Sequence, residues 1–124
     1  MRKIAHRRCI AIKRAVFLGA AIWHFLVATP ALAHVKMKMR VTAYCNRGKT
    51  KSGIMAKQGC IASDPAIVPI GSTVYIPGYG YGKCVDTGRK VKGHHLDVWL
   101  PSRSSCVQWG NKKLFVHVNK KYVR

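Results

Sequence analysis

A small all-β domain, six short strands closed into a barrel with one short helix, is the fold that residues 34–124 predict, on three observations. Short runs rich in Val, Ile, Tyr and Trp alternate with clusters of Gly, Pro and Ser, the punctuation of strands joined by tight turns. Only one segment reads as a helix. So many strands in so short a chain would leave unpaired edges unless the sheet closes on itself.

Residues 1–33 stand apart. Residues 1–14 are basic, 15–28 are mostly apolar, and Pro30-Ala31-Leu32-Ala33 ends in a small-x-small pattern, so the segment reads as a secretory signal peptide cleaved after Ala33. An uncleaved anchor is the alternative, but a bilayer span needs about 20 apolar residues. Removing 33 of the 124 residues leaves 91, enough for one domain. Within it, strands are expected at 39–44, 60–64, 73–76, 83–86, 96–100 and 114–118. The helix is expected at 104–109, where Pro101-Ser102 resembles an N-terminal cap and Gly110 is the stop. Residues 47–58, with two Gly and four Lys or Arg, form the longest irregular loop, and Gly78-Tyr79-Gly80-Tyr81-Gly82 reads as a tight connection between strands.

Charge and cysteine content narrow the setting. The chain holds 23 Lys plus Arg against three acidic residues; six of the cations precede residue 34, so the mature domain carries 17 and a net +14 with His neutral. Such a charge attracts anionic polymers. No nucleic-acid motif accompanies it, and a signal peptide points to export, as a periplasmic, cell-wall-associated or extracellular protein. Four cysteines remain, Cys45, Cys60, Cys84 and Cys106. An even count in a small exported domain predicts two disulfides, and sequence proximity favours Cys45 with Cys60 and Cys84 with Cys106. With no C-x-x-C or close Cys/His pair, neither a metal nor another cofactor is expected.

All three acidic residues are aspartates, and each sits in a short turn-punctuated segment: Ile61-Ala62-Ser63-Asp64-Pro65, Cys84-Val85-Asp86-Thr87-Gly88 and His95-Leu96-Asp97-Val98-Trp99. A solvated face mixes both signs, so three carboxylates amid this excess of cations are placed for a local purpose. Asp64, in Ser-Asp-Pro, also fits an ordinary turn in which the side chain bonds backbone.

Val41-Thr42-Ala43-Tyr44, Ser52-Gly53, Ala62-Ser63-Asp64, Val68-Pro69-Ile70-Gly71-Ser72, Asp86-Thr87-Gly88, Val91-Lys92-Gly93-His94-His95-Leu96-Asp97-Val98 and Val107-Gln108-Trp109-Gly110 together resemble the 3D (three-aspartate) domain family. The resemblance implies a six-stranded double-psi β-barrel, similar to the catalytic barrel of membrane-bound lytic transglycosylase A and to small stationary-phase survival proteins. It also implies peptidoglycan glycan strands as substrate, and lytic cleavage of the MurNAc-GlcNAc β-1,4 bond with a 1,6-anhydro product. In that chemistry one carboxyl donates a proton to the leaving oxygen and then accepts one from the sugar's C6 hydroxyl. By motif position the resemblance assigns this role to Asp97, with Asp86 and Asp64 in support.

A general acid must hold its proton far above the ordinary Asp value of about 3.9, and Asp86 is expected to help by like-charge repulsion. Where the family has small neutral residues after Asp-Thr-Gly, this chain has Arg89-Lys90, two cations expected to lower the acid's pKa and move its action toward acid pH. His94 and His95 are placed to assist or orient the acid. Tyr44, Tyr79, Tyr81 and Trp99 are candidates for stacking on sugar rings or for filling the core, and Lys92 for binding an N-acetyl or carboxylate group. A monomer is expected. Besides the enzyme, two alternatives stand: a non-catalytic, expansin-like wall-binding module, and a secreted protein that binds anionic envelope polymers through charge alone.

Overall fold

The computed structural model describes residues 34–120; the segment read as a signal peptide lies outside them. The strands are β1 (His34–Tyr44), β2 (Cys60–Ser63), β3 (Thr73–Ile76), β4 (Gly80–Asp86), β5 (His95–Trp99) and β6 (Lys112–Asn119), with α1 (Arg103–Trp109) between β5 and β6. They close into one barrel in the order β1-β5-β2-β4-β3-β6. Two of the six pairings, β1 with β5 and β2 with β4, are parallel, and the rest are antiparallel. The expected six-stranded barrel with one helix is the observed fold.

Alternation builds the core. Met39 and Val41 of β1, Val74 and Ile76 of β3, Leu96 and Val98 of β5, and Val116 and Val118 of β6 are all buried, while their neighbours in sequence point outward, as the two-residue period of a strand requires. Each such side chain contributes roughly 1.5–3 kcal/mol of transfer free energy. The short helix starts where Ser102 Oγ accepts the Ser105 N–H and stops at Gly110, whose φ of 69° suits glycine. Trp109 fastens it: its ring is buried, its indole N–H donates to the Val41 carbonyl at 3.2 Å, and Lys112 Nζ lies 4.0 Å above it.

Two boundaries differ most from expectation, by three residues or more. β1 begins five residues earlier, at His34, because its first half alternates Lys with Val or Met and carries little β-rich character, yet pairs fully with β6. The Gly78–Gly82 connection is shorter, because Gly80 already pairs with Ile76. Gly82 is required there: a Cβ would lie 2.5 Å from Ile61 Cδ1 and 3.0 Å from the Gly59 carbonyl oxygen.

No disulfide joins the four cysteines in this structure, and the thiols that the fold brings together are not the pairs that sequence proximity favours. Cys84 is fully buried, pairs in register with Ile61 and is in hydrogen-bonding contact with Ser63, whose own hydroxyl donates to the Val68 carbonyl. Cys60, one residue before Ile61, points to the opposite face of the same sheet. Cys45 and Cys106 are instead in hydrogen-bonding contact, joining the end of β1 to α1.

Candidate functional site

Strand register creates the site. On the outer face of the barrel Thr42 of β1 lies opposite Asp97 of β5, Asp97 opposite Ala62 of β2, and Ala62 opposite Asp86 of β4. Directly opposed residues share a face, so the two aspartates stand in one row with a methyl group between them. Their α-carbons are two strand spacings apart, about 10 Å.

Asp86 reaches this row through a β-bulge. The β2/β4 register shifts between Ile61, opposite Cys84, and Ala62, opposite Asp86. Strict alternation would have pointed Asp86 inward with Cys84; the extra residue, Val85, turns it outward. Asp86 Oδ1 is then held by the backbone N–H groups of Lys51 at 2.9 Å and Thr87 at 2.8 Å.

The row floors an open cleft of about 290 Å³, lined by Asp97, Ala62, Asp86, Tyr44, Thr87 and Lys49 among others. One wall is the 45–59 loop. The backbone bonds it into a small hairpin, with Thr50 N–H to the Ile54 carbonyl and Ala56 N–H to that of Gly48, and Ser52 N–H ties it to Val85. The other wall, residues 87–94, needs Gly88, where a Cβ would come 2.8 Å from Val91 Cγ2.

Asp97 is half-buried, and burial raises its carboxyl pKa above the usual value. Two influences oppose the rise: the Thr42 hydroxyl, donating to Oδ1 at 2.9 Å, and the charge of His95. Burial is thus the leading cause of the rise. Arg89 and Lys90 are exposed, where water screens them. Among the described residues no hydrogen bond reaches Asp97 Oδ2, so that oxygen is free to carry a proton to a ligand in the cleft.

Behind Asp97 runs a relay. Since the Thr42 proton goes to Asp97, its oxygen accepts the Nε2–H of His95 at 2.8 Å. His95 Nδ1 lies 3.0 Å from Arg40 Nη2 and 3.1 Å from the Lys90 carbonyl oxygen: without a proton it accepts from Arg40, and in the charged ring it donates to the Lys90 carbonyl. Thr42 and Arg40 were not singled out in the sequence. The signal was there: Arg40, Thr42 and Tyr44 alternate with buried Met39 and Val41, and so share one face.

The other candidates are dispersed. Tyr44 lines the cleft; burial first, then the charges of Asp86, Cys60 and Asp97, push its phenol well above its ordinary value, and its buried hydroxyl has no hydrogen-bond partner among the described residues. Asp64 lies outside the cleft lining. Its Oδ2 accepts from Gly93 N–H at 2.8 Å and its Oδ1 from Ala66 N–H at 3.1 Å, and these donors hold its carboxyl below the usual range. It anchors the loop preceding β5. Lys92 is exposed on that loop, near Asp64. His94 is exposed, and its carbonyl accepts from Arg40 N–H. Buried His95 acts from behind Asp97. Trp99, opposite Tyr44, donates from Nε1 to the Asn46 carbonyl at 3.1 Å, fixing the base of the 45–59 loop; it does not line the cleft. Among the described residues no group of three or more His, Cys, Asp or Glu is arranged to hold a metal ion.

Comparison with known proteins places this geometry in context. Over 83 residues the chain is 40% identical to YabE of Bacillus subtilis (strain 168), named as a cell wall shaping protein, covering 62% of this chain and 20% of that one. It is 47% identical over 58 residues to the cell wall-binding protein YocH of the same organism, covering 47% of this chain and 20% of the relative. The chain thus matches about a fifth of the length of these relatives. Among solved structures it is similar to MltA from E. coli, at 23% identity and a TM-score of 0.47 over 62% of this chain and 28% of that one. MltA with bound chitohexaose is similar at 22% identity, with a TM-score of 0.46, over 59% and 27%. Residues 59–120 match the family model of the 3D domain, and with the closed six-stranded barrel and all three aspartate motifs in place, the chain belongs to the 3D domain family.

Proposed function

We propose that this protein acts on the glycan strands of peptidoglycan as an exported lytic transglycosylase, with Asp97 as its single acid/base. The observation that carries the reading is a half-buried carboxyl, its pKa raised by burial, held through one oxygen by Thr42 and open through the other to a cleft. Relatives named for cell wall shaping and cell wall binding support the substrate class. So does the +14 charge of the mature domain, complementary to the carboxylates of wall glycopeptides.

The chain's residues divide the work simply. Protonated Asp97 Oδ2 delivers its proton to the glycosidic oxygen as the bond to the anomeric carbon breaks; ionised, it takes the proton of the C6 hydroxyl as that oxygen bonds the same carbon. The acid is regenerated and no water is consumed. Thr42 keeps the carboxyl oriented throughout. Asp86, across Ala62, presents negative charge toward the cleft, where the anomeric carbon turns cationic in the transition state. The neutral phenol of Tyr44 borders the same cleft as a donor without a partner in the fold.

Mass spectrometry of glycan released from purified peptidoglycan tests the reading. Fragments one water lighter than hydrolysis products, abolished by Asp97→Asn, are the expected result. Retention on the wall without release would instead support the wall-binding module, the reading that the name of the 47%-identical relative favours.

A further inference from the structure

Away from the aspartate cleft, the barrel displays a second surface that the proposed reaction does not use. On the outer face of β4, β3, β6 and β1, Tyr81 stands opposite Tyr75, Tyr75 opposite His117, and His117 opposite Lys36. This is one register row across four strands. The Tyr81 and Tyr75 ring centroids are 5.0 Å apart at 54°, and those of Tyr75 and His117 are 6.3 Å apart at 51°. The rings therefore make a continuous tilted shelf about as long as two consecutive sugar rings. Beside it Thr73, Asn119 and His34 complete a shallow depression of about 380 Å³ with hydroxyl, amide and imidazole groups.

Exposure at this row is unusual. Tyr81 is 75% exposed, Phe115 54% and Tyr75 38%, so three large aromatics face solvent together on one side of a small barrel. Their arrangement keeps them there. Gly82 beside Tyr81 must turn inward against Ile61, and the two-residue period of β4 then sends Tyr81 outward. A stable monomer gains nothing from such a patch, and contiguous exposed apolar surface marks an interaction site.

Charge decides which partner fits. Lys36 Nζ and Lys38 Nζ lie 5.1 and 5.9 Å from the centroid of the same Phe115 ring, so two ammonium groups are held beside the aromatic shelf. Lys83 flanks it opposite Thr73, and Lys113 lies two pairs beyond Phe115, opposite Arg40. All three carboxylates of the chain lie elsewhere, at the cleft and the loop before β5. Rings that stack on sugar faces, short polar groups at their edge and a rim of cations suit a glycan bearing carboxylates. We infer that the Tyr81-Tyr75-His117 shelf with its Lys36 and Lys38 rim is a second glycan-binding surface, engaging a carboxylate-bearing glycan strand independently of the Asp97 cleft.

The test uses the purified Asp97→Asn protein, in which turnover is blocked, at about 0.15 M salt. Soluble glycan strands freed of their stem peptides by an amidase, which leaves the lactyl carboxylates bare, are titrated while backbone amide shifts are followed by NMR. The shelf reading expects shifts at Tyr75, Tyr81, Phe115 and His117, and a loss of about 3- to 10-fold in affinity at those amides for Tyr81→Ala, the range of a single aromatic contact. Tyr81→Trp, which keeps a ring, restores it. Lys36→Gln with Lys38→Gln weakens binding of these strands more than binding of neutral chitooligosaccharide.

Shelf amides that stay still at saturating glycan overturn the inference, as does Tyr81→Ala with Tyr75→Ala leaving affinity unchanged. Tighter binding of poly(glycerol phosphate), indifferent to Tyr81→Ala, also overturns it, because the face would then be a charge surface for phosphate polymers. Shifts at cleft amides are read separately: a silent cleft with a responsive shelf defeats the proposed function and leaves this surface standing, and the reverse defeats only the surface.

Discussion

Thr42→Val isolates the contact on which the acid depends. The substitution keeps a β-branched side chain on β1 and removes one hydroxyl, which at present donates to Asp97 Oδ1 at 2.9 Å and accepts from His95 Nε2 at 2.8 Å. A hydrogen bond to a charged group is worth about 1.5–3 kcal/mol and a neutral one about 0.5–1.5 kcal/mol. Burial raises the Asp97 pKa in the fold. Its stabilising contribution is therefore whole in acid and is lost as pH climbs through the raised value. Thr42 opposes that loss by favouring the carboxylate, so its deletion hurts most on the neutral side. At neutral pH about 2 kcal/mol should disappear, a fall of roughly 10 °C in Tm for a domain of this size. In acid, where the contact is between neutral groups, the fall should be about half as large. With the donor gone, the Asp97 pKa moves further up, and the alkaline limb of the pH profile of glycan release moves up with it. Thermal melts at the two pH values and the release profile read both effects, and Thr42→Ser should restore them. Equal Tm losses in acid and at neutrality, together with an unmoved profile, would reduce Thr42 to a packing residue and refute the reasoning.

Asp97→Asn should cut anhydro-sugar release by roughly 10²- to 10⁴-fold while leaving wall retention intact, and should raise Tm at neutral pH, because a buried charge is removed. Asp86→Asn should slow release without moving the pH at which Asp97 titrates, since burial is the leading cause of its raised value; a shifted limb in a pH–rate profile would favour the repulsion model. Gly82→Ala should cost about 1–3 kcal/mol in denaturant melts, because the added methyl meets Ile61 inside the barrel. Native alkylation followed by peptide mapping should spare Cys84, whose thiol burial pushes up to about 11, and oxidised glutathione should join Cys45 to Cys106, the two thiols in contact; a Cys45–Cys60 peptide would contradict the fold.

Much of the architecture could be read from the chain because it is local. Strand positions follow from alternation and from turn residues within a few positions of each other, as in Pro69-Ile70-Gly71, where Gly71 adopts a φ of 91°. The three aspartate motifs and their order are visible in the same way, as are the basic balance and the helix bounded by Ser102 and Gly110. None of this needs knowledge of which strand lies beside which.

What the chain alone determined, then, was a small closed β-barrel with three carboxylates in local motifs. Which of them share a cleft was decided by register, a property of residues far apart in sequence. Thr42 meets Asp97 across 55 positions, and Gly93 N–H draws Asp64 away to pin a loop across 29. One bulge, at Val85, reverses the side on which Asp86 emerges, and no period-two pattern encodes it. Contact between Cys45 and Cys106 depends on the fold for the same reason, since faces and neighbours across the barrel matter where sequence proximity does not. The raised Asp97 pKa likewise needed the folded chain: it comes from desolvation by surrounding segments, and desolvation exists only once those segments have packed.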